Sequence, residues 1–300
     1  MTPHLPCVAG LVSIIIPTRD RRGELAECLG SIQQQDYAQR EVIVADDHSE
    51  DDTAEYVRQN HPEVKLIVTD KRRQPAHLRN LGLLAARGEF VLFLDSDSEL
   101  PRADWLSTMV SALKANPEVV ILGGEIKVHG GRTDEAYWRN VRINAETCPV
   151  VASSSTPEAL VECDYVATCN CFGRADAMRK AGGFDPYFGF GGEDVDFCLR
   201  VAQGGRCRVS YATAVKHKQS PGDRQTNVPY RYHCTRVRQQ LKNATTVRFI
   251  IGFLYDLLRS VVFYCLLVPK LVVKLALRRR LRRAYFPQSK PGSRKREIKS

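Results

Sequence analysis

The 300-residue chain lacks the glycine cradles with which many nucleotide enzymes hold phosphate. No G-x-G-x-x-G follows a predicted strand and no G-x-x-x-x-G-K-[ST] occurs, which argues against the dinucleotide-binding and P-loop classes. A diphosphate bound here needs another counter-charge. The N-terminus, MTPHLPCVAG, has no charged-then-apolar-then-small pattern and flows straight into a strand, so no export signal is expected. Ten cysteines contain no C-x-x-C pair. The closest cluster, Cys163, Cys169 and Cys171, therefore lacks the pairs of a structural zinc site. Reduced, buried thiols are the expectation for a chain without an export signal. No Ser/His/Asp or Cys/His nucleophile constellation is evident.

Basic charge is scarce where a nucleic-acid-binding domain would need it. The net charge is +10, but Lys270–Ser300 holds twelve Lys/Arg against the single acid Glu297. That tail carries +11, so residues 1–269 carry −1. The surplus belongs to the tail and not to a folded face, and no nucleic-acid partner is expected.

What is present is alternation. LVSIII (11–16), EVIVA (41–45), VKLIV (64–68) and FVLFL (90–94) are apolar runs of the kind found in strands covered on both faces. Helical signals lie between and after them. GELAECLGSIQQQ puts Leu25, Cys28, Leu29 and Ile32 on one face, and AHLRNLGLLAA does the same with Leu78, Leu81, Gly82 and Ala85. The βαβα order predicts an α/β fold with a doubly wound, mainly parallel sheet and ligands beyond the C-terminal strand ends. Each polar cluster falls at such an end: PTRD after the first strand, DDHS after the second, DSDS after the fourth.

The last cluster poses the sharpest problem. Asp95, Asp97 and Glu99 follow Leu94 at alternate positions, so an extended chain aims them the same way. Like charges that close repel unless a cation or a partner's positive charge lies between them. A divalent metal on hard carboxylate oxygens, Mn²⁺ or Mg²⁺, would answer this and would also supply the missing counter-charge for a diphosphate. Further on, ECDYVATCNCFGRADAMRKAGGFD (162–185) reads as a strand and a short helix. A helix starts near Glu193–Asp194, and RCRVSYATAVKHK gives a strand ending at His217.

The order VSIIIPTRDRRGELAECLGSI, EVIVADDHSEDDT, AHLRNLGLLAARGEFVLFLDSDSEL, NCFGRADAMRKAGGFD and GGEDVDFCLRV resembles the bacterial-type family 2 glycosyltransferases of the GT-A fold, over about residues 11–218. The resemblance implies a Rossmann-like sheet flanked by helices and transfer of a sugar, with inversion, from a nucleotide-diphosphate donor, most simply a UDP-sugar. It implies that Pro17, Thr18 and Arg19 line the base and ribose and that Asp46 and Asp47 hold a uracil-type base. Arg79 would approach the nucleotide, and Asp95, Ser96 and Asp97 would form the D-x-D segment at ribose and metal-bound diphosphate. Glu193 and Asp194 match the pair that supplies the catalytic base, with Asp194 the expected member. Asp97, Asp95 and His217 are the implied metal ligands. His217 reads equally as a capped strand end, because two lysines in VKHK oppose a cation. His48 replaces a commoner small residue and reads as an exposed turn residue.

The domain expectation is an extension (1–10), a catalytic domain (11–218, with a nucleotide half 11–100 and an acceptor half 101–218) and a connecting segment (219–246). Helices (247–283) and a basic tail (284–300) follow. Within 247–277 the longest charge-free run, Ser260–Pro269, is ten residues, short of the ~20 of a membrane span. Arg248, Asp256, Arg259, Lys270 and Lys274 fall within ~80° of one another at 3.6 residues per turn. That narrow polar stripe predicts amphipathic helices lying on an anionic membrane surface, with the basic tail against headgroups. A peripheral enzyme on the cytoplasmic face follows as the expectation, with a glycan, lipid-linked or protein acceptor.

Overall fold

Strands and helices alternate from the first described segment onward: β1 (Val8–Thr18), α1 (Arg22–Gln33), β2 (Arg40–Asp46), α2 (Thr53–Asn60), β3 (Lys65–Val68), α3 (Pro75–Ala85), β4 (Gly88–Phe93), the short β5 (Ser98–Glu99) and α4 (Trp105–Ala115). There follow β6 (Val119–Val128), β7 (Ala136–Trp138), β8 (Val141–Ile143), β9 (Pro149–Val151), β10 (Leu160–Glu162), β11 (Cys171–Arg174), α5 (Ala175–Lys180), α6 (Glu193–Val201) and β12 (Arg206–His217). The structure is a computed structural model that describes residues 6–128, 136–138, 141–143, 149–151, 160–186 and 192–218. The expectations for 219–300, including the amphipathic helices and basic tail, lie outside the described residues.

The main sheet runs β10-β12-β6-β11-β4-β1-β2-β3, with β5 on β12 and β7 on β6. β1 pairs in parallel with β2 and β4, β2 with β3, and β6 with β12. β11 lies between β4 and β6, antiparallel to both. The sheet is thus mainly parallel in its first half and mixed in its second.

Both faces of the sheet are covered, which explains the unbroken apolar runs. On β1, Ile14 and Ile16 pack with Leu25 and Leu29 of α1, Val57 of α2 and Trp105 and Met109 of α4. Ile15 points the other way, to Leu83 of α3, Met178 of α5 and Phe197 of α6. Pro17 does not end β1 as its sequence suggested, because the strand continues to Thr18 beside Asp46. Pairing of β1 with β4 stops at Ile15, so the missing amide of Pro17 costs no ladder bond.

Helix α3 differs from its predicted stripe. Its buried residues are Ala76, Leu78, Arg79, Gly82 and Leu83, while Leu81 and Ala85 are only half-buried. Gly82 sets this roll: a Cβ there would lie 2.2 Å from Cγ2 of Ile15, so the helix backbone rests directly on β1. That contact turns Arg79 inward.

One irregularity shapes the far edge. Ser210 of β12 pairs with Gly124, yet the next residue of β6, Glu125, pairs with Ala214. Three extra residues in β12 form a bulge that changes which face the strand presents. Cys207 and Val209 accordingly belong to one core layer and Val215 to the other.

Candidate functional site

The C-terminal ends of β1, β2 and β4 deliver the polar clusters to one edge, joined there by the N-terminus of α6 and the end of β12. The three acids foreseen as mutually repelling, and Glu193 beside them, are met by positive groups. Nη2 of Arg79 lies 2.9 Å from Oδ1 of Asp95 and its Nη1 3.2 Å from Oε1 of Glu193. Nη1 of Arg21 lies 2.8 Å from Oδ2 of Asp97. Nε2 of His217 is 3.3 Å from Oδ1 of Asp97 and 3.7 Å from Oδ2 of Asp95. Lys218 pairs with Glu99 at 3.4 Å and also with Glu27, and its amide donates to the Asp97 carbonyl.

Burial makes this network consequential. Arg79, Ser96, Asp97, Glu193 and His217 are all buried. Burial alone would raise Asp97, but the adjacent His217 imidazole and the charge of Arg21 hold its carboxyl below the usual range. Burial works against a charged His217, yet the carboxylates of Asp95 and Asp97 beside it raise its pKa to about 9. Arg79 also lies 5.6 Å from the centre of the Phe184 ring, which stacks on Phe197 of α6 at 4.0 Å. Asn80 holds Phe184 through both backbone groups, at 2.8 and 2.7 Å. Arg79 and its neighbour therefore fasten α6 to α3.

Helix α6 begins after Gly192 in a left-handed conformation, φ +85°, which glycine adopts without a Cβ penalty. Asp194 sits half-buried in its first turn and accepts a hydrogen bond from the Val195 amide at 2.8 Å. Burial, with the neighbouring Glu193 charge adding to it, raises its pKa to about 7. An exposed carboxylate would be ionised throughout the neutral range, and this one is not.

The nucleotide-side residues occupy the adjoining strand ends. Pro17 and Thr18 are buried, and Thr18 Oγ1 and Arg19 Nη1 have no hydrogen-bond partner among the described residues. Asp46 is fully buried and uses both oxygens on Ser49, accepting from its amide at 2.8 Å and its hydroxyl at 2.6 Å. Asp47 accepts from the Arg73 amide, although burial still raises its pKa above the ordinary value. His48 is the exposed turn residue expected, at φ +56°.

Two residues were missed. Arg21 follows the quoted PTRD segment, but nothing local signals its pairing with Asp97. Cys169 joins the site because β11 is antiparallel to β4: Cys171 opposes Phe93, so the residues before Cys171 run alongside those after Phe93. A carboxylate oxygen of Asp95, Sγ of Cys169 and a ring nitrogen of His217 lie within 4.8 Å of one another. Ligand atoms ~2.0–2.3 Å from a shared ion are separated by no more than ~4.6 Å, so small movements suffice. Neither His217 ring nitrogen makes a hydrogen bond of good geometry among the described residues. This donor set fits a divalent ion, with Asp95 in the group and Asp97 committed to Arg21.

Residues 13–175, more than half of the chain, match the family described as Glycosyl transferase family 2. The chain is a family 2 glycosyltransferase. Over 210 residues this glycosyltransferase is 28% identical to glycosyltransferase AglE of Haloferax volcanii, covering 68% of the chain and 64% of AglE. It spans 25% to 64% of the length of the curated relatives that it matches over two thirds of itself. TarS (residues 1–349) of S. aureus, solved with UDP-GlcNAc, superposes with a TM-score of 0.61 at 20% identity, over 82% of this chain and 72% of that one. GalNAc-T7, solved with UDP, GalNAc and Mn²⁺, gives 0.58 at 18% identity over 69% and 44%. These likenesses show the GT-A architecture of the glycosyltransferase.

Proposed function

We propose that the chain moves a sugar from a UDP-sugar to an acceptor hydroxyl with inversion, and that Asp194 is the general base. The observation that carries this reading is the Arg79 bridge, which ties Asp95 on the donor side to Glu193, the neighbour of Asp194. Donor and base are thereby held as one unit. Asp194 would take the proton of the acceptor hydroxyl, whose oxygen attacks the anomeric carbon as the bond to the diphosphate breaks. A group with a pKa of about 7 is matched to proton abstraction near neutral pH. Thr18 and Arg19, with buried polar atoms that lack partners among the described residues, would take the nucleoside, with Asp46, Asp47 and Ser96 shaping the same edge. A divalent metal, Mn²⁺ or Mg²⁺, held by Asp95 and His217 beside the Arg21-paired Asp97 would offset charge on the diphosphate leaving group.

The acceptor would be a glycan or lipid-linked glycan at the cytoplasmic membrane surface, approached through the basic C-terminal region. Among the described residues no helix is long and apolar enough to cross a membrane. The test is nucleotide diphosphate release from UDP-, GDP- and dTDP-sugars with Mn²⁺, Mg²⁺ or EDTA. Metal-dependent release from a UDP-sugar, lost in Asp194→Asn with donor affinity retained, is the expected result. Donor binding without turnover under every condition, acceptors included, would instead make this a nucleotide-sugar-binding protein. Removing 247–300 should shift the protein from membrane to soluble fractions.

A further inference from the structure

The mechanism above leaves Cys169 without a task. An ordinary core cysteine packs among apolar side chains, but Cys169 lies at the functional edge of the sheet. It is 7% exposed, and its Sγ lies within 4.8 Å of donor atoms on both Asp95 and His217. The three residues come from different elements: the end of β4, the turn before β11 and the end of β12. They meet only because β11 is inserted antiparallel beside β4. One donor is oxygen, one nitrogen and one sulfur, the mixture that selects among divalent ions by softness.

We propose that Cys169 is a protein ligand of the divalent ion, completing an Asp95–Cys169–His217 site that binds Zn²⁺ and Co²⁺ ahead of Mn²⁺ and disfavours Mg²⁺. The proposal rests on the metal-assisted transferase reading for its role and on the geometry for its existence. Binding replaces the thiol proton by the metal and displaces any proton on the coordinating nitrogen of His217, and both protons leave to solvent. Mg²⁺ requires oxygen donors in near-octahedral geometry and gains nothing from the sulfur. The borderline ions gain a thiolate bond, and their affinities rise in the order Mn²⁺, Co²⁺, Zn²⁺ expected for a site of nitrogen and sulfur donors. Three protein donors with a position left for substrate is the pattern of catalytic and not structural sites.

A second group of thiols provides the internal control. Cys163 and Cys207 face each other across β10 and β12 with their sulfurs 3.4 Å apart, and Cys171 and Cys198 belong to the same buried cluster. An ion captured there would be bound by two or more sulfurs, whereas the site at Asp95 offers one.

The experiment uses the full chain, stripped of metal, with UDP present. It is titrated with Co²⁺ and followed by near-ultraviolet sulfur-to-cobalt charge transfer, and separately loaded with one equivalent of Zn²⁺ for X-ray absorption. The expected result is a charge-transfer band that saturates at one ion per chain and a zinc shell holding one sulfur at ~2.3 Å with nitrogen and oxygen neighbours. Cys169→Ser should abolish the band and weaken Zn²⁺ binding by more than about tenfold, the least that losing even a supporting partner usually costs a metal site. A shell of nitrogen and oxygen alone, a shell of two or more sulfurs, a band that survives in Cys169→Ser or a failure of Co²⁺ to bind each overturns the proposal. The absorption result on the unaltered chain needs no variant to fold. Nucleotide release assayed in parallel separates the two readings. A sulfur shell without release from any donor would keep the ligand and discard the transferase mechanism, and release without a sulfur shell would do the reverse.

Discussion

Two acidic strand ends of this molecule are built in opposite ways. Asp46, at the end of β2, is satisfied within its own turn, by the amide and hydroxyl of Ser49 three residues on. Asp95, after β4, is held by Arg79 from α3 and lies near His217 at the end of β12. Arg79 in turn reaches Glu193, 114 residues away in sequence. The first end is a local object that forms with its turn. The second exists only when four distant elements have docked, which is what allows it to link binding of one substrate to positioning against another.

The largest expected effect tests what the distant network is for. Asp194→Asn should lower turnover by about 10²–10⁴-fold, the usual contribution of a positioned acid or base, with donor affinity by calorimetry unchanged. A variant that keeps its turnover would remove Asp194 from the chemistry. Next, Arg79→Met should leave the buried Glu193 and the half-buried Asp95 without their shared cation and destabilise the fold by about 3–5 kcal/mol, read from urea unfolding midpoints. A loss under ~1 kcal/mol would mean that the bridge is not what holds α6 to α3.

The pH dependence follows with a smaller slope. Because burial raises Asp194 to about 7, kcat/KM should fall about tenfold per unit below pH 7 and level off above it. The same shift acts on stability with the opposite preference. The folded protein keeps this proton at pH values where the unfolded carboxyl, near 3.8, has lost it, so this group's contribution to stability declines from about pH 4 to pH 7. An acid limb near pH 4 would show that Asp194 is solvated in the working enzyme. Least affected should be Ser49→Ala, which removes one local hydrogen bond from Asp46 and should cost about 1–3 kcal/mol while turnover at saturating donor stays within a few-fold. A collapse of turnover there would erase the distinction between the two strand ends.

The same contrast decides what could be read from the chain. The run FVLFL and its acids, the β1 and β2 ends and the α1 face at Leu25, Cys28, Leu29 and Ile32 were legible, because each depends on periodicity over a few residues. Arg79 was read as a nucleotide contact and Asp46 as a base contact, whereas both are heavily engaged by protein groups. Charge alone does not tell whether an arginine faces a ligand or a neighbouring carboxylate. The insertion of β11 between β4 and β6 was not legible, since the order of strands along the chain does not reveal their order in space. Cys169 was invisible for the same reason, lying 74 residues from Asp95 and 48 from His217.

The bulge in β12 makes the strand behave as a phase shifter. A strand alternates its side chains with a period of two, and three added residues are an odd number. Shortening the bulge between Ser210 and Ala214 by one residue would therefore invert every position beyond it, His217 included, while leaving each residue of the site in place in the sequence. Length, more than identity, is the quantity under constraint at Tyr211, Ala212 and Thr213. Substitutions there should be absorbed far better than a single deletion, and the deletion should remove an imidazole from the site as surely as mutating it.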